Sequence, residues 1–188
     1  MAVSLSKGGN VSLTKEAPGL TAVTVGLGWD VRSTTGTDFD LDASAIAVNP
    51  AGKVYSDGHF VFFNNKQTPD QTIVHTGDNR TGEGAGDDEA ITVHLGGLPP
   101  EVTGLVFVVN SFSGQKFSDV AKAYCRLLDA QSGEELVRFD LTHSEPRTGV
   151  MMAKLIRQFS GEWEMTALGE YVDARTVRGM VKPAGKAL

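Results

Sequence analysis

One cysteine, Cys125, stands among 188 residues, so no intramolecular disulfide can form and nothing here asks for an oxidising compartment. Beside Tyr124 and Leu127 it reads as a small buried apolar residue rather than a nucleophile. No segment approaches the roughly 20 consecutive apolar residues that span a bilayer, and Met1 to Leu13 lacks the apolar run of a secretory leader. The expectation is a soluble cytoplasmic protein, in which the glycosylation patterns Asn10-Val11-Ser12 and Asn79-Arg80-Thr81 are chance matches. Lys and Arg form no cluster and are outnumbered 17 to 23 by Asp and Glu, which argues against a nucleic-acid partner. His59, His75, His94 and His143 are scattered, without the short spacing of a zinc site. There is no linker and no long internal repeat, so one domain is expected over 1–188, with 173–188 a short helix and basic tail.

What the chain does have is period-two alternation of apolar residues between turn signals. Val23, Val25 and Leu27 alternate with Ala22, Thr24 and Gly26; Phe60 to Phe63, Ile91 to Leu95, Leu105 to Val109, Tyr124 to Leu128 and Leu136 to Leu141 continue the series. Asn49-Pro50-Ala51-Gly52, Ser56-Asp57-Gly58, Leu98-Pro99-Pro100 and Gln131-Ser132-Gly133 punctuate it. About ten short strands imply an all-β sandwich or barrel. Met151, Met152, Leu155, Ile156 and Phe159 fit a helical face equally well, although Ser160-Gly161 and Trp163 to Leu168 read as the turn and second strand of a hairpin. Asp173 to Val181 predicts a short helix capped by Asp173, with Val177, Met180 and Val181 inward.

The negative charge is concentrated. Residues 30–42 and 77–89 hold nine Asp or Glu against two Arg, a balance of −7, whereas the whole chain carries −6. So dense a charge needs neutralising, and a hard cation is the obvious agent. The run Gly77-Asp78-Asn79-Arg80-Thr81-Gly82-Glu83-Gly84-Ala85-Gly86-Asp87-Asp88-Glu89 supplies carboxylates, an amide and glycines that let a loop curl its carbonyls inward. Those are calcium's ligands; magnesium ranks second because it retains waters, and zinc far behind. Asp38, Asp40, Asp42 and Ser44 share one face of a strand that continues as Ile46 and Val48, so this strand's acidic end should lie beside the glycine-rich loop. Asp30 and Asp38 read equally well as solvated side chains.

Other motifs fail by count. An EF-hand read from Asp38 would have Ala43 in place of its Gly and Asn49 in place of its Glu. The glycine-rich run lacks the Gly-Lys-Ser/Thr ending of a phosphate loop. Asp40-Leu41-Asp42-Ala43-Ser44 is similar to an aspartyl-phosphate nucleophile motif, but those enzymes need an α/β sheet that this pattern does not predict.

Gly26-Leu27-Gly28-Trp29-Asp30, Phe39-Asp40-Leu41-Asp42-Ala43-Ser44 and the run from Gly77 to Glu89 closely resemble the signature of the TerD family of tellurium-resistance and bacterial stress proteins. The resemblance extends from about Leu5 to Gly169 and includes Asn110-Ser111-Phe112 and Gly161-Glu162-Trp163. It implies a β-sandwich of two mainly antiparallel sheets with calcium-binding loops at one end, and a strand for Met151 to Phe159. The metal set is then Asp40, Asp42, Asp78, Asn79, Gly82, Glu83, Asp87, Asp88 and Glu89, enough for two Ca2+ ions. The basic tail from Arg175 onward is less family-like.

The expected function is a calcium-binding, non-enzymatic interaction module in a cytoplasmic stress response, including resistance to tellurite and other chemical stress. Its partners would be calcium and other stress-response proteins, with the membrane surface one place of meeting. The alternative is a metal-dependent phosphoester hydrolase using the same acidic cluster, although the sequence shows no general base apart from the ligands and no nucleophile with a paired His. Direct reduction of tellurium oxyanions is disfavoured, because Cys125 lacks a resolving thiol and an acidic loop repels anions.

Overall fold

Strands form where alternation predicts them. The structure is a computed structural model that describes residues 2–31, 40–76 and 86–188. Its elements are β1 (Val3–Leu5), β2 (Asn10–Ser12), the one-turn helix α1 (Leu13–Glu16), β3 (Ala22–Val31), β4 (Leu41–Val48), β5 (Phe60–Val61) and β6 (Ile73–His75). There follow β7 (Glu89–His94), β8 (Gly104–Ser111), β9 (Val120–Asp129), β10 (Glu135–Asp140), β11 (Gly149–Arg157), β12 (Trp163–Val172) and α2 (Val177–Lys186). Among the described residues they make two six-stranded sheets, ordered β1-β10-β9-β3-β7-β6 and β2-β12-β11-β8-β4-β5. Every pairing is antiparallel except that of β1 with β10.

The main core lies between the sheets. Val23, Val25, Leu27 and Trp29 of β3 meet Ala43, Ala45 and Ala47 of β4 and Leu105, Phe107 and Val109 of β8 there. Each fully buried large side chain among them contributes about 1.5–3 kcal/mol. A second, smaller core lies outside the second sheet, where Ile46, Val48, Val106, Val108 and Met151 are covered by Val177, Met180 and Ala184 of α2. β4 and β8 are therefore buried on both faces. Asp42 and Ser44 share the α2-facing side with Ile46 and Val48, as the alternation predicts.

β11 shows why its apolar spacing imitates a helix. Val150, Met152, Ala153 and Leu155 all face the main core while Met151 faces α2, because a register shift between Met151 and Ala153 inserts an extra residue. Burial on both faces plus a bulge erases strict alternation. The strand implied by family resemblance is present, ending at Arg157. α2 begins later than expected: its cap is Thr176, whose side chain accepts from Gly179 N–H at 3.4 Å, whereas Asp173 pairs with Arg147. Both residues suit a cap, and the guanidinium of Arg147 takes one of them.

Candidate metal site

The described flanks of the two acidic segments lie at one end of the sandwich. Leu27 of β3 pairs with Glu89, the first residue of β7, and His75 closes β6 beside Ile91. From the other sheet β4 begins at the same end, immediately after Asp40, whose carbonyl accepts from Phe112 N–H at 3.0 Å. The described flanks of both acidic segments thus lie near one another, while the glycine-rich loop itself lies outside the described residues.

Each acidic residue there has a distinct environment. Asp88 Oδ2 accepts from Trp29 N–H at 2.7 Å, which fastens the end of the glycine-rich run to β3. Glu89, 3 % exposed, accepts through Oε2 from Ala43 N–H at 2.6 Å and lies 3.2 Å from His75 Nε2. Asp42 is buried on the α2-facing side of β4, Asp40 is half-buried and Asp30 is exposed. Asp38, Asp78, Asn79, Gly82 and Glu83 lie outside the described residues. Among the described residues no group of three or more His, Cys, Asp or Glu is arranged to hold a metal ion.

Asp87 has a partner that sequence analysis did not find. Its carboxylate receives Arg126 Nε at 2.8 Å and Arg126 Nη2 at 3.0 Å, plus the Tyr124 hydroxyl at 2.9 Å. Arg126 also donates to Glu135 at 3.1 Å, and Arg138 lies 4.2 Å above the Tyr124 ring. Burial first, then the bond to Asp87, pushes the Tyr124 phenol up to about 12; the same Asp87 bond raises the Arg126 guanidinium. Part of the dense negative charge is thereby neutralised by the protein itself. The glycines of Gly26-Leu27-Gly28 have a matching reason: a Cβ at Gly26 would collide with the Asp87 carboxylate, and one at Gly28 with the Tyr124 ring. Nothing in local spacing announces Arg126, which is 39 residues from Asp87.

A further network corrects the expectation that no nucleophile pairs with a His. The Ser56 hydroxyl lies 2.8 Å from His59 Nδ1, and His59 Nε2 lies 2.9 Å from Asp70 Oδ2. Ser56 Oγ also accepts from His59 N–H at 3.3 Å, capping the turn that follows it. Although its partial burial would raise the Asp70 pKa, bonds from Thr68, Thr72 and His59 hold that carboxyl well below the usual range. Cys125 is fully buried, and burial followed by the Asp87 charge pushes its thiol up to about 12, which keeps it protonated near neutrality.

The TerD domain profile matches residues 1–182. The tellurium resistance protein TerD of Serratia marcescens is 47% identical over 174 residues, covering 90% of this chain and 91% of that protein. General stress protein 16U of Bacillus subtilis (strain 168) is 38% identical over 174 residues, with 90% of each chain covered. The crystal structure of a homologue of telluride resistance protein (TerD) from Streptomyces coelicolor A3(2) superposes with a TM-score of 0.70 at 26% identity, over 86% of this chain and 98% of that one. Sandwich, acidic end and near-complete alignment agree, and the chain belongs to the TerD family.

Proposed function

We propose that this protein is a calcium-binding, non-enzymatic interaction module of a bacterial cytoplasmic stress response, tellurite resistance included. The observation that supports the proposal is that the described flanks of the two acidic segments share one end of the sandwich, where Ala43 N–H donates to Glu89 and Trp29 N–H to Asp88. The acidic side chains of these flanks offer carboxylate oxygens, the ligand type that suits a hard cation, and the one thiol is fully buried. Asp40, Asp42, Asp88 and Glu89, with Asp78, Asn79, Gly82 and Glu83 of the same run, would hold one or two ions. Asp87 would join only by giving up Arg126.

Calcium, when bound, supplies positive charge that lets like-charged side chains stay close. The chain's own part is to hold β3, β4 and β7 in register so that their ends face one another. A loop ordered in this way would present a surface to a partner, which on this reading is another stress-response protein. No helix among the described residues is long and apolar enough to cross a membrane.

The test is thermal unfolding of chelator-stripped protein titrated with calcium and, separately, magnesium. A native-state ligand at about a thousand times its Kd adds roughly 4 kcal/mol, so a saturable, calcium-selective rise in midpoint is expected. Absence of a shift with either ion overturns the calcium reading. Capture of the same partner with and without calcium would leave binding in place and remove the switch.

A further inference from the structure

β3 carries its core residues at Val23, Val25, Leu27 and Trp29, so alternation turns Gly26 and Gly28 to the outer face of the first sheet. On that face β9 sets Arg126 directly opposite Gly26 and Tyr124 directly opposite Gly28. With no side chain on the β3 side of either pair, a recess is left over the glycines, and Asp87 and the Tyr124 ring fill it. The Asp87 side chain is only 13% exposed there. Arg126 grips it side-on, Nε to Oδ1 at 2.8 Å and Nη2 to Oδ2 at 3.0 Å, and is itself braced by Glu135 of β10. The Tyr124 hydroxyl shares its hydrogen between Asp87 Oδ1 at 2.9 Å and the Gly86 carbonyl at 2.8 Å.

Glu89 turns the other way. It is paired with Leu27, a core residue, and its carboxylate reaches the Ala43 N–H of the second sheet. Asp87 and Glu89 therefore lie on opposite faces of the first sheet. A cation that takes Glu89 as a ligand gains Asp87 only if that carboxylate leaves Arg126, Tyr124 and its recess together, and a bidentate guanidinium–carboxylate pair is among the strongest contacts a side chain makes. We propose that Asp87 anchors the glycine-rich run instead of serving it as a cation ligand, with Arg126 and Tyr124 as positioning residues. They fix Gly86 to Asp88 against β3 before any ion arrives, so that the Asp88 N–H meets the Leu27 carbonyl at 2.9 Å and Asp88 Oδ2 meets the Trp29 N–H at 2.7 Å. A chain end already in place lowers the ordering cost of binding, so Arg126 aids a cation although it carries charge of the same sign. What Asp87 does for a cation depends on the calcium reading above; what it does for the chain does not.

Amide hydrogen exchange on the whole chain in chelator reads the anchor without metal. Arg126→Lys keeps the charge and loses the fork, so protection of the Asp88 amide should fall about tenfold more than that of Val108 in the second sheet. Calcium titration of the same proteins then reads the ligand. Arg126→Lys, and Tyr124→Phe as the milder variant, should weaken calcium about threefold to thirtyfold; Asp87→Asn should leave the number of bound ions unchanged. Arg126→Lys combined with Asp87→Asn should bind no more weakly than Asp87→Asn alone, because both changes break one anchor. Tighter calcium binding by Arg126→Lys, or one ion fewer in Asp87→Asn, would make Asp87 a ligand that Arg126 withholds and overturn the proposal. So would an Asp88 amide whose protection merely follows that of Val108. A parent chain without any calcium response overturns the calcium reading instead, and the exchange ratio still decides the anchor.

Discussion

Ala43 and Glu89 lie in different sheets, yet the Ala43 N–H donates to Glu89 Oε2 at 2.6 Å and so joins β4 to β7 at the acidic end. The reason is a short neighbour: β5 pairs with β4 only at Ala45 and Ile46, which leaves the Ala43 N–H without a strand on that side. A buried N–H needs an acceptor, and the Glu89 carboxylate, with His75 at 3.2 Å, supplies it. An acidic residue read from sequence as a cation ligand is also a clamp between sheets.

Glu89→Ala should therefore destabilise the chain by about 2–4 kcal/mol, because it strips buried donors of their acceptor and leaves a void. Glu89→Gln keeps one acceptor oxygen and should cost about half as much. Urea unfolding with chelator present separates this role from any metal effect. A Glu89→Ala midpoint within error of the parent would show that the clamp carries no stability.

Gly26→Ala tests the fit between the glycine pair and Asp87. The new methyl would meet the Asp87 carboxylate held by Arg126, a crowded contact worth about 1–3 kcal/mol of lost stability. In an Asp87→Ala background the same methyl has room, so the two changes together should cost clearly less than their sum. Strict additivity in a double-mutant cycle would contradict the crowding explanation.

On the alkaline side, Tyr124 gives a signed expectation. Its folded-state value of about 12 lies above the ordinary 10, so its contribution is complete below pH 10 and is lost as pH rises from 10 through 12. Tyr171, with a phenol also pushed up to about 12 by burial and then by Glu145, adds to the same slope, as does Cys125 from a lower starting point. Tyr124→Phe should flatten the fall in urea midpoint over that range without abolishing it. An unchanged alkaline slope would mean that neither burial nor the Asp87 bond raises the Tyr124 phenol on folding.

These contacts also mark where sequence reading stops. Alternation in Val23, Val25 and Leu27 was enough for β3, because one face of that strand meets the core and the other carries small or polar residues. It was not enough for β11, since burial on both faces and a bulge opposite β12 and β8 depend on partner strands that no local window contains. Asp88 and Glu89 stood out by charge density, whereas Arg126 came to Asp87 only through the pairing of β9 with β3. The Asp173 cap failed for the same kind of reason: a distant Arg147 competes for the carboxylate, and Thr176 serves instead. Asp78, Asn79, Gly82 and Glu83 remain sequence expectations, lying outside the described residues.

The Asp70 network supports a prediction of opposite sign to that of Tyr124. Its carboxylate accepts from the Thr68 hydroxyl at 2.6 Å, the Thr72 hydroxyl at 2.6 Å, Thr72 N–H at 3.0 Å and His59 at 2.9 Å, so one side chain fastens the turn before β6 to the turn before β5. A carboxyl held below its ordinary value stabilises the fold above the unfolded-state pKa, and that contribution is lost as pH falls through the depressed folded-state value. Because the side chain is 34% exposed, solvent screening limits the effect, and Asp70→Asn should cost about 1 kcal/mol at neutral pH. The gap between parent and variant should narrow below about pH 4, as the parent's carboxylate begins to protonate in the unfolded state. Urea midpoints at pH 7 and near pH 2.5 measure it. A gap that stays constant on acidification would assign the loss to altered packing of the amide rather than to the charge, and the hydrogen bonds to Thr68 and Thr72 would then have to be weighed as neutral contacts.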